Sequence, residues 1–129
     1  MKKKKTFRPT ESELEILQVL WNKAPATVRQ VHEAMEHNRD TGYTTTLKTM
    51  QIMAGKGLLA RDTRSRTHLY TPLVSREECQ QDILGKMMNG LFKGSAARLV
   101  MGALDSEKLS GEDLQEIRAF LEKFDDKKP

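Results

Sequence analysis

The 129-residue chain has one cysteine, no long apolar run and no catalytic signature, and each of these shortages excludes something. A lone cysteine, Cys79, excludes an internal disulfide and any multi-cysteine metal site. Its place within an apolar helical pattern predicts a small buried hydrophobe rather than a reactive thiol. No stretch approaches the roughly 20 apolar residues that a membrane span requires. The basic start, Met1-Lys2-Lys3-Lys4-Lys5, leads into polar and charged residues from Thr6 to Glu15. An export signal would need an apolar segment there, so the expected location is the cytoplasm, with no membrane partner. HExxH, a Gly-rich phosphate loop and a nucleophile elbow are all missing from the sequence. His32 and His37 are five residues apart, off the same-face spacing of four, and together with His68 they are expected as surface or wing residues. Glu33 and Glu36 are expected as a solvated helix face rather than a catalytic carboxylate pair. An enzyme is therefore not expected, and neither a cofactor nor a metal site is. No internal repeat is present, and low complexity is confined to the lysines at the two ends.

What is present reads as one domain, or one small domain with an appended segment. Hydrophobic residues make up 37% and charged residues 31%, which suits a soluble globular chain with much exposed surface. The charge is uneven. Met1 to Arg76 carries fourteen Lys/Arg against seven Asp/Glu, whereas Glu77 to Pro129 carries eight against eleven. Four of the first group are Lys2 to Lys5, yet without them the front half is still net positive. A basic front half is what a phosphate-binding surface requires.

Helix starts are well marked. Thr10-Glu11-Ser12-Glu13 is a capping box, with a hydroxyl at the N-cap and a carboxylate three residues later. Leu14, Leu17 and Leu20, with Trp21, repeat at helical spacing, and Pro25 ends the helix. Thr27-Val28-Arg29-Gln30 starts a second helix with Val28, Val31 and Met35 inward. His37 to Gly42 reads as a loop. A third helix is expected from Tyr43 or Thr44 to Gly55, with Leu47, Met50, Met53 and Ala54 inward and Thr45, Lys48, Thr49 and Ile52 outward. Gly55-Lys56-Gly57 stops it. Leu58 to Arg61 and His68 to Thr71 are predicted strands joined by a polar tip, Asp62 to Thr67, with Pro72 closing the second. Ser75-Arg76-Glu77-Glu78 is a third capping box, and the helix after it carries Ile83, Leu84, Met87, Met88, Leu91 and Phe92. Gly94-Ser95 interrupts before Leu99, Val100, Ala103 and Leu104. A last helix from near Ser110 carries Leu114, Ile117, Leu121 and Phe124 in a 3-4-3 spacing.

This order predicts a mainly α fold with a small β-hairpin wing: a winged helix-turn-helix followed by a helical region. In helix-turn-helix proteins the outer face of one helix enters the major groove, and a hairpin placed just after it can touch phosphates. The expected DNA-binding residues are Thr44, Thr45, Lys48 and Thr49 on the third helix and Arg61, Arg64, Arg66 and His68 on the wing. The helix group is short or flexible and free of acid; the arginines would give phosphate affinity without sequence reading. The bland reading of each is a solvated helix face and a basic surface hairpin; order and charge bias together favour DNA.

Several residues carry a family resemblance: Trp21 ahead of the proline break, Tyr43-Thr44-Thr45-Thr46, Lys56-Gly57-Leu58-Leu59, and Tyr70 closing the hairpin. Together, from about Thr10 to about Phe124, they resemble the penicillinase-repressor family, the BlaI/MecI type. The resemblance implies a homodimeric repressor of palindromic operators. It implies a basic tail over 1–9, a DNA-binding domain over 10–74 and a helical dimerisation region over 75–129. Met87, Met88, Leu91, Leu114, Ile117, Leu121 and Phe124 are the candidate dimer contacts. In several members a sensor-linked protease relieves repression by cutting the C-terminal region, which corresponds here to Met101, Gly102 and Ala103. Those members carry Asn-Phe where this chain has Gly102-Ala103, and arginine where it has Leu47 and Ile52, so the operator sequence is not carried over. The cysteine cluster that ends a copper-responsive branch has no counterpart in this sequence. Two further readings are a ligand-responsive regulator, with Met87, Met88, Leu91 and Phe92 lining a pocket, and a winged helix used only for protein contacts.

Overall fold

The computed structural model describes residues 9–35 and 41–126, and the chain divides into two compact units, 1–85 and 86–129. Six helices and one hairpin are found among the described residues. They are α1 (Glu11–Lys23), α2 (Val28–Ala34), α3 (Tyr43–Lys56), β1 (Leu59–Asp62), β2 (Leu69–Pro72), α4 (Arg76–Gly90), α5 (Ala96–Ser106) and α6 (Gly111–Asp126). α4 spans the join between the units, and the expected join at residue 75 precedes it. Glu36, His37 and most of the expected loop before Gly42 lie outside the described residues.

All three expected capping boxes form. Thr10 Oγ1 accepts the Glu13 N–H at 3.2 Å, while Glu13 Oε1 accepts the Thr10 N–H at 3.0 Å. Thr27 with Gln30 and Ser75 with Glu78 repeat the exchange. Each box satisfies two amide donors that a helix start otherwise leaves open. Gly57 stops α3 in the left-handed region at φ 85°, where a side chain would be strained, and the next amide, Leu58 N–H, returns to the Met53 carbonyl at 2.9 Å.

That cap moves the hairpin one residue along from the expected strands. Leu58 N–H is committed to α3, so β1 begins at Leu59, and β2 runs one residue further, to Pro72. The strands pair antiparallel, with Leu59 opposite Pro72 and Asp62 opposite Leu69. Pro72 is tolerated as the last residue of its strand. Ala26 and Tyr70 exchange backbone bonds at 3.1 and 2.8 Å, so the link between α1 and α2 lies against β2 as a third, one-residue rung.

The core of the first unit gathers Ile16, Leu17 and Leu20 of α1, Val28 and Val31 of α2, Met50 and Met53 of α3, with Leu59, Tyr70, Val74 and Cys79. Leu14, Trp21, Leu47 and Ala54, expected inward, pack only partly buried against it. The α1 face is turned so that Ile16 rather than Leu14 points in. Cys79 is buried as expected, and burial, then the nearby Asp82 charge, pushes its thiol pKa up.

In the second unit Lys93 and Gly94, both at positive φ, break the chain between α4 and α5, and Ser95 Oγ caps α5 by accepting Arg98 N–H. Ser110 Oγ does the same for α6 through Asp113 N–H. No described side chain from 86 to 125 is buried. Leu91 is 74% exposed and Met101, Phe120, Leu121 and Phe124 are each more than half exposed.

Candidate nucleic-acid interface

Thr44, Thr45 and Lys48 stand exposed on the first half of α3. Thr49 is half-buried, and its hydroxyl donates to the Thr45 carbonyl at 2.8 Å, a bond back along the same helix. Its donor is therefore occupied, leaving Thr44, Thr45 and Lys48 as the freer groups of the predicted set. Ile52 continues the same face, 48% exposed.

α3 is held in place at both ends. At its C-terminus Lys56 Nζ meets Glu13 Oε2 of α1 at 2.7 Å. Glu13 is buried; burial works against its ionisation, but bonds from Lys56 and Thr10 outweigh that and leave its pKa lowered. At the N-terminus His32 Nδ1 of α2 lies 2.8 Å from the buried Thr46 Oγ1. The Tyr43 ring meets His32 edge-on at 5.9 Å between centroids, and the Arg29 guanidinium sits 5.0 Å from the Tyr43 centroid.

Neither clamp was expected from sequence. The sequence marks Glu13 only as a capping residue, and His32 as a surface one. A signal did exist for the second clamp: Thr46 is four and seven residues before Met50 and Met53, so it shares their inward stripe. A buried hydroxyl there requires a partner.

The wing brings Arg61, Arg64, Arg66 and His68 into one short hairpin, with the arginines exposed and His68 half-buried. Arg64 is not a free cation. Its Nε donates to Asp62 Oδ1 and Oδ2 at 3.0 and 3.2 Å, its Nη2 donates to Oδ2 at 2.7 Å, and its backbone N–H bonds Oδ1 at 3.0 Å. These Arg64 bonds hold the Asp62 carboxyl down at about 2. The bonds fold the tip as an Asp-anchored turn. Arg61 and Arg66 have no such partner among the described residues.

The other candidate residues fall in the helices after the wing. Trp21 Nε1 donates to the Val74 carbonyl at 2.9 Å, with the Arg76 guanidinium 5.4 Å over its ring, and so fastens the chain leaving the hairpin onto α1. Met87, Leu91, Leu114, Leu121 and Phe124 are exposed; Met88 and Ile117 are half-buried. Phe120 and Phe124 meet edge-on at 5.2 Å. Met101, Gly102 and Ala103 are exposed within α5, and the Phe92 ring lies against Gly102.

Three helices followed by an antiparallel hairpin, with the hairpin's second strand bridged to the α1–α2 link, define a winged helix-turn-helix. The chain belongs to the penicillinase repressor family, whose family model matches residues 9–123. It is 31% identical over 120 residues to the transcriptional regulator BlaI of Mycobacterium tuberculosis (strain CDC 1551 / Oshkosh), covering 91% of this chain and 85% of that one. It is 24% identical over 119 residues to the methicillin resistance regulatory protein MecI of Mammaliicoccus sciuri, covering 92% and 97%. A solution structure of the DNA binding domain of the repressor BlaI aligns with 59% of this chain and 93% of its own, at 23% identity and a TM-score of 0.48.

Proposed function

We propose that the chain is a homodimeric, cytoplasmic transcriptional repressor that inserts α3 into the major groove of a palindromic operator and lays its wing on the adjoining phosphates. The observation that carries the DNA reading is the acid-free exposed face of Thr44, Thr45 and Lys48 on a helix clamped at both ends, beside a hairpin with three arginines. A reading helix must be rigidly positioned, because base-edge contacts depend on hydrogen-bond geometry. Family membership supports the repressor role.

Dimerisation has its own support. Residues 86–125 form helices without any buried side chain, and a helix about as long as α6 is marginal alone in water. The Leu114, Ile117, Leu121 and Phe124 stripe needs a second surface, and another copy of the chain supplies one. Two subunits then offer recognition helices to half-sites about one helical turn apart. Proteolytic relief at Met101 to Ala103 would separate α6 from the DNA-binding unit. The cut would have to unwind α5 first, since extended, exposed segments are the preferred sites of nicking.

The experiment is a titration of the full chain on a random duplex and on palindromic candidates across a range of salt, with sedimentation in parallel. A dimer whose log K falls steeply with log salt is expected. Salt-independent binding, or none to any duplex, refutes the DNA reading; a monomer at working concentration refutes the dimer.

A further inference from the structure

The geometry points to a backbone-phosphate contact beyond those of the wing, made by Arg29 of α2 as it lies over the Tyr43 ring of α3. This inference rests on reading α3 as the recognition helix. A groove beside α3 is lined by Arg29, Tyr43 and Gln51 together with Arg66, Thr67 and His68 of the hairpin. No carboxylate lines it. Arg29 and Arg66 both line it, and the remaining polar groups there are hydrogen-bond formers, as Tyr, Gln and Thr side chains are. A phosphate backbone suits such a lining, because its oxygens accept from guanidinium, hydroxyl and amide donors alike.

Arg29 differs from an ordinary surface arginine in being held. Its guanidinium rests 5.0 Å from the Tyr43 centroid, and Tyr43 is braced by the His32 ring, which in turn is tied to Thr46. The cation–π contact holds the guanidinium near the ring while the residue stays exposed. Unlike Arg64, which Asp62 already engages, Arg29 has no ion-pair partner among the described residues. A guanidinium fixed in this way loses less freedom on meeting a phosphate than a mobile side chain does. The contact would help set the register of α3 on the duplex.

The test compares wild type with Arg29→Ala, Arg29→Gln and Arg29→Lys, as full chains, on a palindromic and a random duplex over a salt series. Arg29→Ala and Arg29→Gln are expected to flatten the slope of log K against log salt by about 0.9, the value of one phosphate contact. Both duplexes should weaken by the same factor. Arg29→Lys keeps the charge and should restore the slope while recovering only part of the affinity, since the planar stack is lost. Tyr43→Leu should weaken both duplexes in the same way, and Tyr43→Phe, which keeps the ring, should not. Unchanged slopes in both Arg29→Ala and Arg29→Gln overturn the contact, and a purely structural role would give that result along with a lower Tm. Loss confined to the palindrome also overturns it, making Arg29 a base reader. A wild-type chain that binds neither duplex removes the DNA reading itself and is thereby distinct from failure of this contact.

Discussion

The wing offers a quantitative test, because its two tip arginines are in different electrostatic states. Arg66 is exposed with no partner among the described residues, whereas Arg64 makes three side-chain bonds to Asp62. A free arginine that neutralises one phosphate contributes about 0.9 to the slope of log K against log salt. Arg66→Ala should therefore flatten the slope by about 0.9. Arg64→Ala should flatten it by less, since Asp62 already occupies its Nε and Nη2 donors. The Arg64 bonds hold the Asp62 carboxyl below its ordinary range, at about 2, so it is ionised at neutral pH. Asp62→Asn is the decisive variant: it releases Arg64 and removes a negative charge from the interface. The slope should then steepen, by up to about 0.9, and the affinity should rise on random and palindromic duplexes alike. Fluorescence anisotropy of the full chain on a labelled duplex over a salt series measures all four proteins. Equal losses for Arg64→Ala and Arg66→Ala, with no effect of Asp62→Asn, would refute the pairing as a control on phosphate binding. No change with Arg66→Ala would remove the hairpin tip from the interface.

Lys48→Ala should weaken a cognate palindrome by roughly 1–3 kcal/mol if Lys48 reads a base edge, and a random duplex by less; equal losses would make it a phosphate contact. Lys56→Ala leaves the buried Glu13 carboxylate with Thr10 alone and should cost about 1–3 kcal/mol of stability by chemical denaturation, against no loss if the bond is absent in solution. The Glu13 pKa is lowered, so its ionised form stabilises the fold above its ordinary value of 4.5 and loses that contribution as the pH falls below it. The stability gap between wild type and Glu13→Gln should thus be full at pH 7 and close on acidification; a gap that widens there contradicts the assignment. Leu121→Glu with Phe124→Glu should turn the dimer into a monomer in sedimentation, because each apolar side chain buried contributes roughly 1.5–3 kcal/mol; a persisting dimer places the interface elsewhere.

Much of the fold was legible because its signals are local. A hydroxyl three residues before a glutamate or glutamine names a helix start, and Thr10, Thr27 and Ser75 each do so within four residues of sequence. Gly57 names the end of α3 in the same way. What stayed hidden depends on chain separation. Glu13 and Lys56 are 43 residues apart, and Trp21 and Val74 are 53 apart, so no window of periodicity can pair them. The one-residue shift of the hairpin came from competition for a single amide, Leu58 N–H, which the α3 cap takes before the strand can. Composition read the wing correctly as basic and could not show that Asp62, two residues before Arg64, captures one of its charges.

The same distinction between local and distant partners bears on why the two halves of the chain carry opposite charge. In the first unit the apolar residues find each other within one chain, and Tyr70, Met50 and Leu17 reach full burial. Their polar complement is then free to be specialised, and it is basic. In residues 86–125 no described side chain is buried, so the apolar stripe of α6 is the surface on offer. α6 itself is net acidic, with six Asp/Glu against two Lys/Arg, so it disfavours phosphate, while its exposed stripe of Leu114, Leu121 and Phe124 suits another apolar face. Segregating the charge this way separates the two associations. Under the proposed function, raising salt should weaken phosphate contacts of the first unit and leave an apolar contact through α6 intact, since one is screened and the other is not. A dimer that persists at salt high enough to release the duplex is what this division requires.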